Sequence, residues 1–278
     1  MHETRRRSKL FWPLAIFFAL FVIFLYGPIA TIIILSFQGP NGGLTFPMNG
    51  VSTHWFFALF EQQRVGDFKG SFLRSFSLGL TVMSICVVLG VMIGQAYRYR
   101  FRGAGPLFYL SVASLIVPSI LISLGIGILF SRMGWSLAWY TSGLGAHLTW
   151  TLPFALLIML AVFNRFNKSF EEAARDLGAG EWTTFREIVL PLILPSLVGV
   201  GLFGFTLSYD EFARSSLVMG EFNSLPLEIF AMTTNVTSPA LYALGTVTTL
   251  FSFLVIALFL VITQRLQRRT SRPVPQSE

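Results

Sequence analysis

Six stretches of the chain carry no Asp, Glu, Lys or Arg: residues 10–37, 75–97, 103–131, 133–164, 192–209 and 229–264. A helix needs about 20 apolar residues to cross the hydrocarbon core of a bilayer, so each run can supply one span. The last run is longer than one crossing needs, which puts its helix at 240–263. The fourth opens with Trp135, Trp139 and Tyr140, residues that suit a membrane interface, so its span is expected at 142–163. The other spans are expected at 10–37, 75–97, 106–130 and 191–212. The pattern predicts an all-α membrane protein with six transmembrane helices in a single membrane domain, residues 10–264.

A signal peptide competes for the first run, because Arg5, Arg6, Arg7 and Lys9 precede it. The run is too long for a signal core and lacks a convincing small-residue cleavage site. It is expected to be a retained anchor.

The basic residues set the orientation. With six spans, fifteen of the 20 Lys and Arg fall on one side. They lie in the N-tail (1–9), in the loop with Arg98, Arg100 and Arg102, in the loop with Arg165, Lys168, Arg175 and Arg186, and in the C-tail (265–278). Inner loops carry this excess, so both termini are expected in the cytoplasm of a bacterial cell, the protein being a multi-pass inner-membrane protein.

Composition agrees, at 54% hydrophobic and 12% charged. The net charge of +7 needs no nucleic acid to explain it, because the arginines are split among short inner segments. One cysteine, Cys86, mid-span, excludes a disulfide framework and a thiol metal site. The three histidines, His2, His54 and His147, are too scattered for a metal. His147 is expected to be a polar residue packed within span four. Enzyme signatures are missing. There is no phosphate-binding G-x-x-x-x-G-K-[ST] loop, so ATP must be bound by another chain. There is no G-x-S-x-G elbow either.

The outer segments hold two short helical candidates. "STHWFFALF" from Ser52 places His54, Trp55, Phe56, Leu59 and Phe60 on a possible interfacial helix. "SLPLEIFAM" from Ser224 has Ser224 at a cap position and Pro226 in a first turn.

One polar island stands out. "EEAARDLGAGEWTTFREIVLP", residues 171–191, is dense in charge between two greasy runs. Ser169 and Glu172 have capping-box spacing. Glu171 and Glu172 suit the positive end of a helix dipole. Phe170, Ala173, Ala174 and Leu177 recur at i, i+3, i+4 and i+7, giving one apolar face. Gly178 fits a helix stop. A second amphipathic stretch carries Trp182, Phe185, Ile188 and Val189, and Pro191 is expected to close it. The segment reads as a cytoplasmic helix–turn–helix at 165–190.

These residues resemble the signature loop of the membrane subunits of ATP-binding cassette importers. That signature reads E-A-A, three residues, G, nine residues, I, one residue, L-P. It is met by Glu172, Ala173, Ala174, Gly178, Ile188, Leu190 and Pro191. The resemblance implies the importer-permease fold, with a coupling helix between spans four and five that docks on an ATPase subunit. With Glu171 and Leu177, these are the expected coupling residues. The partners it implies are a cytoplasmic ATPase dimer, a second homologous permease and an extracytoplasmic substrate-binding protein. No cofactor is expected, ATP being bound by the ATPase subunit.

A second stretch, "SYDEFARSSLVMGEFNSLPLEIFAM" from Ser208 to Met232, is similar to the second permease of spermidine/putrescine-type importers. The resemblance implies a polyamine or similar small amine as substrate. Relatives further out carry opines, amino-acid derivatives and other small solutes, and Arg214 departs from the mostly apolar sequence expected at its position. Tyr209, Asp210 and Glu211 are the candidate pathway residues. Pro191 to Asp210 spans about 28 Å of helix, which puts the acidic pair near the outer end of span five. There it would offset the dehydration of a cation, and the Tyr209 ring could contact an ammonium group. The alternative is an ordinary interface charge, Asp210 neutralised by Arg214 at i+4. A self-sufficient secondary carrier is the rival function class. Such carriers keep ionisable residues inside their spans, whereas these span interiors lack Asp, Glu, Lys and Arg.

Overall fold

A computed structural model describes residues 10–61, 66–99, 101–235 and 238–270. The basic tails at 1–9 and 271–278, with Arg64 and Arg100, lie outside the described residues. The elements are helical: α1 (Phe11–Leu35), α2 (His54–Ala58), α3 (Phe68–Arg98), α4 (Ala104–Ile116) and α5 (Ser119–Met133), then α6 (Trp139–Asn164), α7 (Ser169–Asp176), α8 (Glu181–Tyr209), α9 (Leu225–Asn235) and α10 (Ala240–Thr270). Five are long and apolar enough to cross a membrane, or six if α4 and α5 together form one broken span.

That broken span corrects the single helix expected at 106–130. The axes of α4 and α5 differ by 105°. Val117 and Pro118 between them are extended, with ψ of 127° and 130°. Proline has no N–H to continue a helical ladder, and its ring drives the preceding residue out of the α region. A second correction concerns Pro191. The helix does not close there; α8 runs from Glu181 through it. A π-helical turn at Phe185–Val189 lies just before Leu190 and Pro191. Such a widened turn relaxes the ladder ahead of a residue that cannot donate to it.

The chain divides into two compact units. One comprises residues 1–66 and 232–250. Here α1 is exposed along most of its length. The loop after it is organised by buried Gln38, whose Oε1 accepts from Asn49 N–H at 2.8 Å and whose Nε2 donates to Gly43 O at 3.1 Å. Tyr242 Oη donates to Leu44 O at 2.5 Å in the same unit.

The other unit comprises residues 67–231 and 251–278. Its core is a seam among α3, α6 and α8: Leu78, Val82 and Cys86 meet Ala155, Met159 and Phe163, and Ile193, Leu197 and Val200. Small residues allow the close approach that stands in for hydrophobic driving force between helices in lipid. A Cβ on Gly94 would sit 2.7 Å from the Phe163 ring, and one on Gly204 would sit 3.3 Å from the Cys86 Cβ. Cys86 is buried, as expected of a small core residue.

Candidate functional site

Two regions of the larger unit concentrate the polar chemistry, one at each end of α8. The first is the hairpin. Ser169 opens α7 as its first residue rather than as its cap, which is Lys168; Asn167 Oδ1, one residue before the cap, accepts from Ser169 N–H at 3.0 Å. The helix ends in a Schellman turn. Ala179 N–H donates to Ala174 O at 3.0 Å, Gly178 N–H donates to Arg175 O at 2.8 Å, and Gly178 has φ 87°. Only glycine takes that conformation without strain.

The two glutamates of α7 point apart. Glu171 turns inward onto Arg98, the last residue of α3. Glu172 is exposed, as are Phe170, Ala173 and Gly178, while Ala174 is half-buried. Leu177 is 89% exposed and Trp182 is 71% exposed, so this part of the hairpin's apolar surface is uncovered among the described residues. Ile188 and Leu190 are half-buried in the stem of α8, and Leu190 packs on the core seam together with Phe185. Among the signature residues Glu172, Ala173, Gly178 and Pro191 are exposed, whereas Ala174, Ile188 and Leu190 are half-buried.

The second region follows α8. Its helix ends at Tyr209, with Asp210 as C-cap. Tyr209 is buried, its ring stacked on Phe205 at 5.6 Å and 5.3 Å from Phe251. Its hydroxyl is buried without a hydrogen-bond partner among the described residues. A cavity of about 270 Å³ is lined by Phe203, Phe205, Tyr209, Asp210 and Phe251 among others. It combines aromatic faces with one exposed carboxylate, a composition that accepts an organic cation.

Glu211 does not share that exposure. Its Oε1 accepts from Arg214 N–H at 2.8 Å, and its Oε2 lies 3.8 Å from Arg214 Nη1, with both side chains buried. Arg214 also donates through Nη1 to Ser119 Oγ at 2.7 Å and through Nε to Thr149 Oγ1 at 3.3 Å, and it lies 4.7 Å from the Trp150 ring centre. The sequence expectation paired Arg214 with Asp210 at i+4. Because α8 stops at Tyr209, helical i+4 spacing no longer applies, and the partner is Glu211.

Buried side chains clasp the segment after α8 to its neighbours. His147 bridges Ser208 Oγ at 2.8 Å and Ser215 Oγ at 2.9 Å. Ser215 Oγ donates to Glu211 O at 2.7 Å, so it accepts from His147 Nε2–H, which leaves Nδ1 to accept from Ser208. His147 is thus a satisfied core residue. Ser142 Oγ donates to Val218 O at 2.7 Å, and Leu217 N–H donates to Ser123 Oγ at 3.0 Å. Leu225 N–H, at the start of α9, donates to Ser75 Oγ at 2.8 Å. Ser224 occupies the cap position, but its hydroxyl is buried without a hydrogen-bond partner among the described residues. Glu228 accepts from Asp67 N–H at 2.9 Å and from Asn223 Nδ2 at 2.8 Å. Nothing in the sequence pattern marked Ser119, Thr149 or Ser142 for these roles; each is a small polar residue in an apolar run. Among the described residues no three His, Cys, Asp or Glu side chains converge on a metal-sized site.

Residues 86–272 match the family described as binding-protein-dependent transport system inner membrane component. The chain is 32% identical over 260 residues to the spermidine/putrescine transport system permease protein PotC of Haemophilus influenzae, covering 93% of this chain and 98% of that protein. It is 28% identical over 230 residues to the putrescine transport system permease protein PotI of Escherichia coli, covering 80% of each. Among solved structures, a bacterial ABC transporter involved in the import of the acidic polysaccharide alginate aligns over 93% of this chain and 98% of that one. The TM-score is 0.61 at 17% identity.

Proposed function

The chain belongs to the family of inner-membrane components of binding-protein-dependent transport systems, and from that premise we propose that it forms half of the translocation path of an ATP-driven polyamine importer. It is a multi-pass inner-membrane transport permease and not an enzyme. The proposal adds the partners, the orientation and the sites. A cytoplasmic ATPase dimer docks on α7, and a second homologous permease completes the path. An extracytoplasmic binding protein delivers a polyamine or a similar small amine. Both termini and the hairpin are cytoplasmic.

The observation that carries the coupling role is the exposed apolar surface of the hairpin, with Ala173 on α7, Leu177 in the turn and Trp182 at the start of α8. Exposed apolar patches of this kind mark sites of association. The substrate class is supported by the similarity to PotC over nearly the full chain and by the aromatic cavity that Asp210 lines. Tyr209 and Asp210 are the proposed pathway residues. Glu211 contributes by holding Arg214.

One observation favours a second reading of the substrate. Arg214 offsets the charge of Glu211, and Asp210 is the one carboxylate that lines the cavity. A solute with one cationic group, such as an opine or an amino-acid derivative, fits that count better than a full polycation does. Competition assays on cells expressing the complete transporter decide between them. Unlabelled spermidine and putrescine should block uptake of labelled putrescine, and neutral diols of equal length should not. No saturable uptake of putrescine, together with saturable uptake of a labelled opine or amino-acid derivative, would transfer the assignment to the second class.

A further inference from the structure

The cytoplasmic ends of three helices converge on one ion pair. Arg98 ends α3 and Glu171 lies in the first turn of α7. Arg98 Nη1 donates to Glu171 Oε1 at 2.9 Å, and Nη2 donates to Oε2. Two parallel bonds between a guanidinium and a carboxylate fix orientation as well as distance. Gln95 Oε1 accepts from the same Nη1 at 3.0 Å. The guanidinium also lies 5.1 Å from the ring centres of Phe163, in α6, and of Phe166, just beyond it. The side chains are 6% and 15% exposed. Among the described residues, this is the sole ion pair joining α7 to a membrane-spanning helix.

The rest of the attachment of α7 is its contact with the first turns of α8. It is flanked by the non-helical residues 166–168 and by the turn at 177–180, which holds two glycines. Phe170, Ala173 and Leu177 on its apolar face are exposed. Without the ion pair, α7 would keep its contact with the start of α8 but lose its charged anchor to α3.

We propose that Arg98 and Glu171 are positioning residues that lock α7 to the end of α3, so that a displacement of α7 is transmitted to the α3–α6–α8 seam. The proposal rests on the reading of α7 as the docking element for the ATPase. It also separates the two glutamates by role: Glu172 faces the partner and Glu171 faces the bundle. Phe163 connects the pair to the core, because it packs in the seam and also lies beneath the guanidinium. Lysine cannot substitute for the arginine, since it lacks both the fork and the flat face.

The test uses the complete transporter in proteoliposomes with loaded binding protein. Three quantities are read: ATPase retained on purification, ATP hydrolysed, and substrate moved per ATP. Arg98→Lys and Glu171→Gln should retain the ATPase and hydrolyse ATP, while substrate moved per ATP falls by about tenfold, within the range of ordinary intersite coupling. The exchange Arg98→Glu with Glu171→Arg should recover part of that loss. An unchanged ratio in both single variants, or an exchange no better than either of them, would overturn the proposal. Loss of the ATPase from Arg98→Lys would overturn it too, because the pair would then belong to the docking surface. Ala173→Asp controls for the underlying reading. If that variant keeps its ATPase, the docking assignment fails, independently of the ratio measured at Arg98.

Discussion

Glu211 and Arg214 form a buried pair in the segment that follows α8, with Glu211 Oε1 accepting the Arg214 backbone N–H and Oε2 lying 3.8 Å from its guanidinium. Asp210, one residue earlier, is exposed beside the aromatic cavity and has no such partner among the described residues. Two adjacent carboxylates therefore have different work, one holding the fold and one available to a solute.

The two should separate on substitution. Asp210→Asn is expected to leave the melting temperature of the detergent-purified protein unchanged and to reduce uptake. Glu211→Gln removes half of a buried pair and strands Arg214, which costs about 3–5 kcal/mol in comparable cases. Melting curves and uptake measured on both variants check this. A stable Glu211→Gln protein with wild-type melting would remove the structural role assigned to the pair.

The exposed face of α7 should tolerate no charge. Ala173→Asp places a carboxylate where the ATPase is proposed to sit, and an unpaired buried charge at a contact costs several kcal/mol. Gly178→Val imposes a β-branched residue on a φ of 87°, at roughly 1–2 kcal/mol for the left-handed backbone alone. Both variants should insert in the membrane, lose the ATPase on purification and fail in transport. Normal retention in both would point to a different docking face.

Sidedness follows from the proposed orientation. In a Cys86→Ala background, a cysteine at Ser169 should resist an impermeant thiol reagent applied to intact cells, and one at Asn41 should react. Both positions are exposed, so reagent access, not burial, determines labelling. Reaction at Ser169 from outside would place the hairpin on the wrong side for an ATPase.

The N-terminal end of α3 should show a pH signature. Asp67 caps the helix, accepting Gly70 N–H at 2.9 Å and pairing with Arg74 at 2.9 Å. The Gly70 hydrogen bond, with help from Arg74, holds its carboxyl below the ordinary value of 3.8. A depressed carboxylate stabilises the fold at pH above its unfolded value, and that contribution disappears as pH falls through the folded value. Wild type should therefore melt above Asp67→Asn at pH 6, and the gap should close as pH falls below the ordinary carboxylate value and through the folded one. A gap that persists unchanged at low pH would assign the effect to shape and not to charge.

Much of this was legible in the sequence. The charge-free runs at 10–37 and 75–97 contain most of α1 and α3 because a bilayer excludes charge along its whole thickness. The α7 helix and its glycine stop were legible because capping and left-handed geometry are local. The break between α4 and α5 was less so: proline is ordinary in membrane helices, and only the packing around Pro118 decides between a kink and a 105° bend. The partners of Glu171 and Arg214 were hidden for a different reason. Arg98 lies 73 residues from Glu171, and Ser119 lies 95 residues from Arg214, distances over which no periodicity carries information.

Transport in a purified system tests the central claim most directly. The chain should be purified from its own membranes, its companions identified, and the assembly reconstituted with loaded binding protein and ATP enclosed on the side of the hairpin. The account predicts a second permease and an ATPase in the preparation, and uptake that stops when ATP is replaced by a non-hydrolysable analogue. Uptake by this chain alone, driven by an ion gradient and indifferent to ATP, would contradict it.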